Sequence, residues 1–123
     1  MTSVSEITGY HAHVYYDAAS IDAARELCEA AAKRFSLGMG RMHEKEVGPH
    51  PRWSCQLSVP VESFGEVVPW LAMHRGDLSV FVHVQTGDDW LDHTQGEMWL
   101  GPSVQLNLDF LRDLVKRQSQ DRA

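Results

Sequence analysis

The sequence predicts an α+β domain in which two helices cover one face of a four-stranded, mostly antiparallel sheet. Three observations carry this: four segments have strand length and strand alternation, two repeat apolar residues at helical spacing, and they follow one another as βαββαβ. That order favours the ferredoxin-like arrangement, here with a C-terminal extension.

The first strand covers Ile7–Tyr16, with Tyr10, Ala12, Val14 and Tyr16 on one face and His11, His13 and Tyr15 on the other. A helix follows, because Ile21, Ala24, Leu27, Cys28, Ala31 and Phe35 recur at its period behind the expected N-cap Ser20, and Gly38 supplies a stop. Gly40–Val47 and Arg52–Val59 read as a hairpin whose turn, Gly48-Pro49-His50-Pro51, interrupts either ladder. Ser63 is the expected cap of a second helix running to about Met73 and burying Phe64, Val67, Val68, Leu71 and Ala72. Pro69 should kink that helix or delay its start, and Gly76 closes it. Leu78–Val84 is the fourth strand, with Leu78, Val80, Val82 and Val84 on one face and Ser79, Phe81 and His83 on the other. Polar turn residues make Gln85–Gly101 read as a loop, and a C-terminal helix is expected near Asp109–Arg117. Its start stays open, since Val104, Leu106 and Leu108 alternate like a strand.

The 123 residues fit one domain, 1–123, and a hydrophobic content of 43% with four Trp, four Phe and three Tyr supplies its core. A formal charge of −6 with scattered Lys and Arg argues against nucleic acid as a partner. No apolar run approaches the roughly 18–20 residues that cross a bilayer. Met1–Ser5 lack the charged and apolar regions of a secretory signal, so a cytoplasmic protein without membrane contact is expected. Cys28 in the helical pattern and Cys55 in the strand pattern suit small reduced core residues rather than a disulfide.

Seven histidines are many for this length, and His11-Ala12-His13 places two on one strand face, with Cα atoms about 7 Å apart. With the helices covering the apolar sides, His11, His13, Tyr15, Arg52, Ser54, Gln56 and His83 are left on the open face, joined by His43 if Met42 points inward. The first and last strands of this order are antiparallel neighbours, so His11 or His13 should approach His83. Three imidazoles could then share a cation, and Fe, Zn, Cu and Ni all suit neutral imidazole. The competing explanation is a set of surface or interface histidines. His74, beside Arg75 at a helix end, reads as a partner of the helix dipole and solvent. Thr86-Gly87-Asp88-Asp89 has a calcium-like composition without EF-hand spacing, and reads as a polar turn.

The segments His11-Ala12-His13-Val14-Tyr15-Tyr16-Asp17, Gly48-Pro49-His50-Pro51, Pro69-Trp70-Leu71, His83 followed by Thr86-Gly87-Asp88, Asp92-His93-Thr94 and Trp99-Leu100-Gly101 resemble, in order and spacing, the DOPA 4,5-dioxygenase family. The resemblance spans roughly Ile7–Leu108. It implies a small ferredoxin-like protein, often dimeric, that uses non-haem Fe(II) and O2 to open a catechol at the bond beside the hydroxyl pair. Acting on L-DOPA, such an enzyme yields a seco-DOPA that cyclises to a betalamic-acid type pigment. Zinc or nickel is the expected replacement in a purified sample.

A catechol chelates iron through two oxygens while O2 takes another position, which leaves room for about three protein ligands. His11, His13 and His83 are the first choice, with Glu97 or Asp88 as carboxylate substitutes. Deprotonating the catechol, and later returning a proton, suits a histidine that titrates near neutrality. His50, His43 and His93 are the candidates, His50 foremost because its flanking prolines stiffen the turn. Tyr15 could hydrogen-bond a catechol oxygen or dioxygen, Arg52 could pair with a substrate carboxylate, and Trp53 or Trp90 could offer an aromatic wall. The alternatives are a non-catalytic ferredoxin-like dimer that binds aromatic ligands and a protein holding zinc in a closed site. Helices on one face leave the other needing cover, so homodimerisation through that face, or cover from the C-terminal segment, is expected.

Overall fold

The computed structural model describes residues 3 and 6–121, with side chains as far as Gln118. Apart from Ser3, the N-terminal segment judged for a secretory signal lies outside the described residues. The elements are β1 (Gly9–Tyr16), α1 (Ile21–Phe35), β2 (Gly38–Met39), β3 (Trp53–Val59), α2 (Phe64–His74), β4 (Val80–Gln85), α3 (Asp89–Thr94), β5 (Glu97–Leu100) and α4 (Leu108–Asp121). The sheet therefore has five strands rather than four, in the order β2-β3-β1-β4-β5, and every pairing is antiparallel. β1 lies at its centre, between β3 and β4, as the expected adjacency of first and fourth strands requires.

Alternation along β1 and β4 divides the sheet into two faces. Ala12, Val14, Tyr16, Val80 and Val82 join Ala24, Leu27, Cys28 and Ala31 of α1 and Val67 and Leu71 of α2 in the main core. Cys28 and Cys55 are both buried there as free thiols. The other face carries a smaller apolar cluster of Tyr15, Phe81 and Leu106, flanked by Trp99, Val104 and Leu108. Val104 and Leu106 belong to an irregular segment rather than a strand, and this segment covers part of the open face.

Several boundaries differ from expectation for identifiable reasons. Gly40–Val47 is not a strand: only Gly38–Met39 pairs as a ladder with Leu57–Ser58, and two isolated bonds, Gly40 N–H to Gln56 O at 2.8 Å and His43 N–H to Ser54 O at 3.1 Å, continue the contact. The charged run Arg41–Glu46 has too few apolar side chains to hold a buried edge. Helix α1 ends at Ser36, which takes the left-handed conformation with φ 55° in place of Gly38. The Ser20 hydroxyl does not cap α1; it bonds Asp17 instead. A 3-10 turn, Val61–Ser63, leads into α2, which runs through the exposed Pro69 to His74.

The stretch expected as a loop, Gln85–Gly101, holds both α3 and β5. Asp88 caps α3, its carboxylate accepting from Leu91 N–H at 3.1 Å. Gly96 then lets the chain turn back tightly against β4, where any Cβ would collide with Val84.

Candidate metal centre

The register brings the histidines of β1 and β4 together. His11 pairs directly with His83, and His13 sits between Gln56 of β3 and Phe81 of β4. Directly paired residues share a face, so His11, His13 and His83 all project from the side opposite α1 and α2. Their ligating nitrogens lie within 4.8 Å of one another, and this group could hold a metal ion. His13 and His83 are buried while His11 is half-buried, giving the cluster one side open toward solvent.

Hydrogen bonds settle which nitrogens carry lone pairs. His83 Nδ1–H donates to its neighbouring Val84 carbonyl at 2.9 Å, which leaves Nε2 bare and turned toward the cluster. His13 Nε2 lies 3.1 Å from it. Two imidazole nitrogens bound to one metal at about 2.1 Å stand about 3.0–3.4 Å apart, depending on the angle between them. The donor set therefore fits a borderline first-row metal: three neutral imidazoles, two of them already at the spacing of adjacent ligands.

Two further imidazoles flank the group, each against a different member. His50 lies over His13 with ring centroids 4.1 Å apart, and His93 lies over His83, also at 4.1 Å. Their anchoring differs. The Tyr15 hydroxyl and His50 Nδ1 share a hydrogen bond at 2.7 Å, and where the hydroxyl donates, the proton of neutral His50 is on Nε2. His93 Nδ1–H donates to Asp89 O at 2.7 Å, one turn back along α3, so its Nε2 is bare. The buried Asp92 carboxylate accepts from Thr86 N–H at 3.0 Å and Thr86 O–H at 2.7 Å, tying α3 to the end of β4 and so holding His93 against His83.

Burial sets the electrostatics. It pushes His13 well below the ordinary imidazole value, and neighbouring imidazoles, His50 first, add to the effect. His83 falls to about 3 and His50 to about 4, in each case chiefly through burial and next through His93. His11 is lowered by burial and by His93, against which Asp92 and Asp89 act. Burial raises the Tyr15 phenol, so it stays protonated and able to donate. At neutral pH the cluster therefore presents uncharged rings with lone pairs available to a cation.

The other expected residues are placed elsewhere, or only beside the cluster. Trp53 is opposite Tyr16 in the register and packs into the main core, so it stands on the wrong face for an aromatic wall. Parity along β3 causes this: Ser54 and Gln56, not Trp53, share the face of the imidazoles. The aromatic rings that do share the imidazole face are Phe81 and Trp99, with ring centroids 4.8 Å apart and Phe81 in contact with His13, His50, His83 and His93. Trp90 stacks beneath Arg112 on the outer side of α3. Arg52 pairs with Asp17 at 3.8 Å and lines a cavity of about 760 Å³ beside α1 and α2. That cavity includes Tyr15 but none of the five clustered imidazoles. A smaller one of about 270 Å³ adjoins them, lined by His93, Glu97, Trp99 and the segment from Ser103 to Leu106 among others.

His43 is held through its backbone, with its carbonyl accepting from Tyr16 O–H at 2.8 Å. Asp88 is spent on capping α3, and Glu97 is exposed beside His83 rather than within the ligand group. His74 lies on α2, stacked on Trp70 and far from the other imidazoles in the sheet topology.

A small α+β protein with a five-stranded sheet and a buried histidine group able to hold a metal is thus defined. The chain belongs to the Dopa 4,5-dioxygenase family, whose family model matches residues 10–110. It is 38% identical to a DOPA 4,5-dioxygenase of Amanita muscaria over 113 residues, which is 85% of this chain and 50% of that protein. It is 39% identical over 110 residues to an uncharacterized 21.2 kDa protein of Botryotinia fuckeliana, covering 81% of this chain and 57% of that one. The chain therefore spans about half the length of the curated relatives it matches. Among solved structures, a candidate dioxygenase from Nostoc punctiforme PCC 73102 superposes with a TM-score of 0.90 at 43% identity, over 93% of this chain and 99% of that one.

Proposed function

We propose that this chain is a non-haem Fe(II) extradiol dioxygenase that opens a catechol such as L-DOPA with O2, cleaving at the 4,5 bond to a seco-DOPA type product. The observation that carries the proposal is the meeting of His11, His13 and His83 within 4.8 Å, with His11 only half-buried on the side toward solvent. A metal ion bound there supplies chelation of the two catechol oxygens and activation of dioxygen. Iron is the assignment, with zinc or nickel able to occupy the same imidazoles in a purified sample.

The chain's own residues do the rest. His93 presents a bare Nε2 beside His83, suited to take a proton from a catechol hydroxyl. His50 presents a neutral ring beside His13, suited to hydrogen-bond a substrate or dioxygen oxygen through Nε2–H when Tyr15 donates to Nδ1, and the proton taken by His93 is the one available to be returned. His43, close enough to His50 to influence it, is a further candidate for proton transfer. Phe81 and Trp99 exclude water behind the reacting ring. Arg52 is a substrate contact only for a group that reaches past Tyr15, toward which its charge extends.

The same proposal treats residues 1–123 as one ferredoxin-like domain extended by β5, working as a cytoplasmic homodimer without nucleic-acid or membrane partners. Among the described residues, no helix is long and apolar enough to cross a membrane.

The test is anaerobic loading with Fe(II), addition of L-DOPA, and admission of O2. Stoichiometric oxygen uptake with a yellow ring-opened product is the expected result. Binding of the aromatic without oxygen uptake would replace the proposal with a non-catalytic binding protein. Four-coordinate zinc with no exchangeable position would replace it with a structural site.

A further inference from the structure

We infer that Glu97 selects among catechols, favouring those whose side chain carries an ammonium group and disfavouring those that carry only a carboxylate. The inference rests on the extradiol reading above and deepens it.

Glu97 is opposite His83 in the β4–β5 register, so the two side chains leave the same face of the sheet about 5 Å apart at their Cβ atoms. It also lines the 270 Å³ cavity that touches the imidazoles through His93. Glu97 is the only acidic or basic side chain besides His93 in that lining. Among the described residues it has no ion-pair partner, whereas Arg25, Arg52 and Arg112 are each matched to an aspartate. A catechol chelated at the histidine group would extend its ring substituent along Trp99 toward this carboxylate.

The second observation is the placement of the cations. Arg52, the arginine nearest in sequence to the site, is paired with Asp17 and belongs to the other cavity. Arg75 is spent on the carbonyls of Gly76 and Leu78. The cavity next to the imidazoles thus offers a substituent one acidic group, an indole face suited to a cation, and no arginine or lysine.

The test is an anaerobic binding titration of the full chain, metal-free and Fe(II)-loaded, followed by tryptophan fluorescence. The probes are 3,4-dihydroxyphenethylamine, 3,4-dihydroxyphenylacetate and unsubstituted catechol. The amine is expected to bind about five- to tenfold more tightly than the acid at low ionic strength, the size of an exposed charge contact made attractive in one case and repulsive in the other. Added salt should narrow the gap. Glu97→Gln should abolish the preference, Glu97→Asp should keep it, and Glu97→Lys should reverse it. Equal binding of amine and acid, or a preference unchanged in Glu97→Gln and Glu97→Lys, overturns the inference while leaving the extradiol reading intact. Failure of unsubstituted catechol to bind the iron-loaded chain overturns the extradiol reading, and the inference with it.

Discussion

His13 Nε2 and His83 Nε2 face each other at 3.1 Å across neighbouring antiparallel strands, although 70 residues of chain separate them. The contact is diagonal, since His83 is registered with His11 and His13 with Phe81. His83 Nε2 is bare because its other nitrogen donates to Val84 O, so without a metal the proton between the two rings sits on His13. A metal ion held by both rings would need that proton moved to His13 Nδ1, a change of tautomer within a neutral ring.

Removing a ligand should cost more than disturbing one. Both His11→Ala and His83→Ala are expected to weaken iron retention by at least about a hundredfold, beyond the loss usual for outer-shell changes. Iron per chain after desalting measures this, and wild-type iron content in either variant would refute the ligand set.

His50 lies outside the ligand group but against it. His50→Ala should keep its iron and lose about 10²- to 10³-fold in turnover, the usual worth of a positioned hydrogen-bond donor. Tyr15→Phe removes the hydrogen bond that anchors the His50 ring, and should lower turnover by roughly tenfold without changing iron content. Ring-opened product measured against bound iron separates the two effects.

The lowered imidazoles make the metal-free protein sensitive to acid. His50 at about 4 and His83 at about 3 take up protons in the unfolded chain near pH 6.5 but resist doing so when folded. The unfolded state thus binds more protons below pH 6.5, and stability falls as pH drops from there toward 4 and 3. His13, lowered as well, adds to the slope. Chemical denaturation at several pH values should show more than one proton taken up on unfolding between pH 6 and 4. A flat profile in that window would contradict this account of the cluster.

Asp92 should prove structural before it proves catalytic. Asp92→Ala strands the Thr86 amide and hydroxyl, at a cost of about 1–3 kcal/mol. Urea unfolding should report that loss, whereas the exposed Asp113→Ala should change stability little.

Much of the geometry was legible from parity alone. Alternation in Gly9–Tyr16 and in Val80–Gln85 separates His11, His13, Tyr15, Phe81 and His83 from the core side, and strand order then brings the two sets side by side. What escaped was short or polar. Glu97–Leu100 has only four residues, too few for its alternation to stand out from the flanking turns, so Trp99 was not recognisable as a wall. Asp89–Thr94 is a six-residue helix set by a cap and a buried Asp92–Thr86 link, which no periodicity announces. Trp53 misled because its aromatic character drew notice while its odd position on β3 decided its face.

The segment carrying Leu106 is fastened to the turn that carries His50. Asn107 N–H donates to Pro49 O at 2.8 Å, and Phe110 rests against Gly48. The turn of His50 and the carboxyl-terminal strap are accordingly one mechanical unit. Trimming the chain from that end would disturb His50 well before it reached the strands that carry His11, His13 and His83. A fusion or affinity handle meant to spare activity belongs at the opposite terminus.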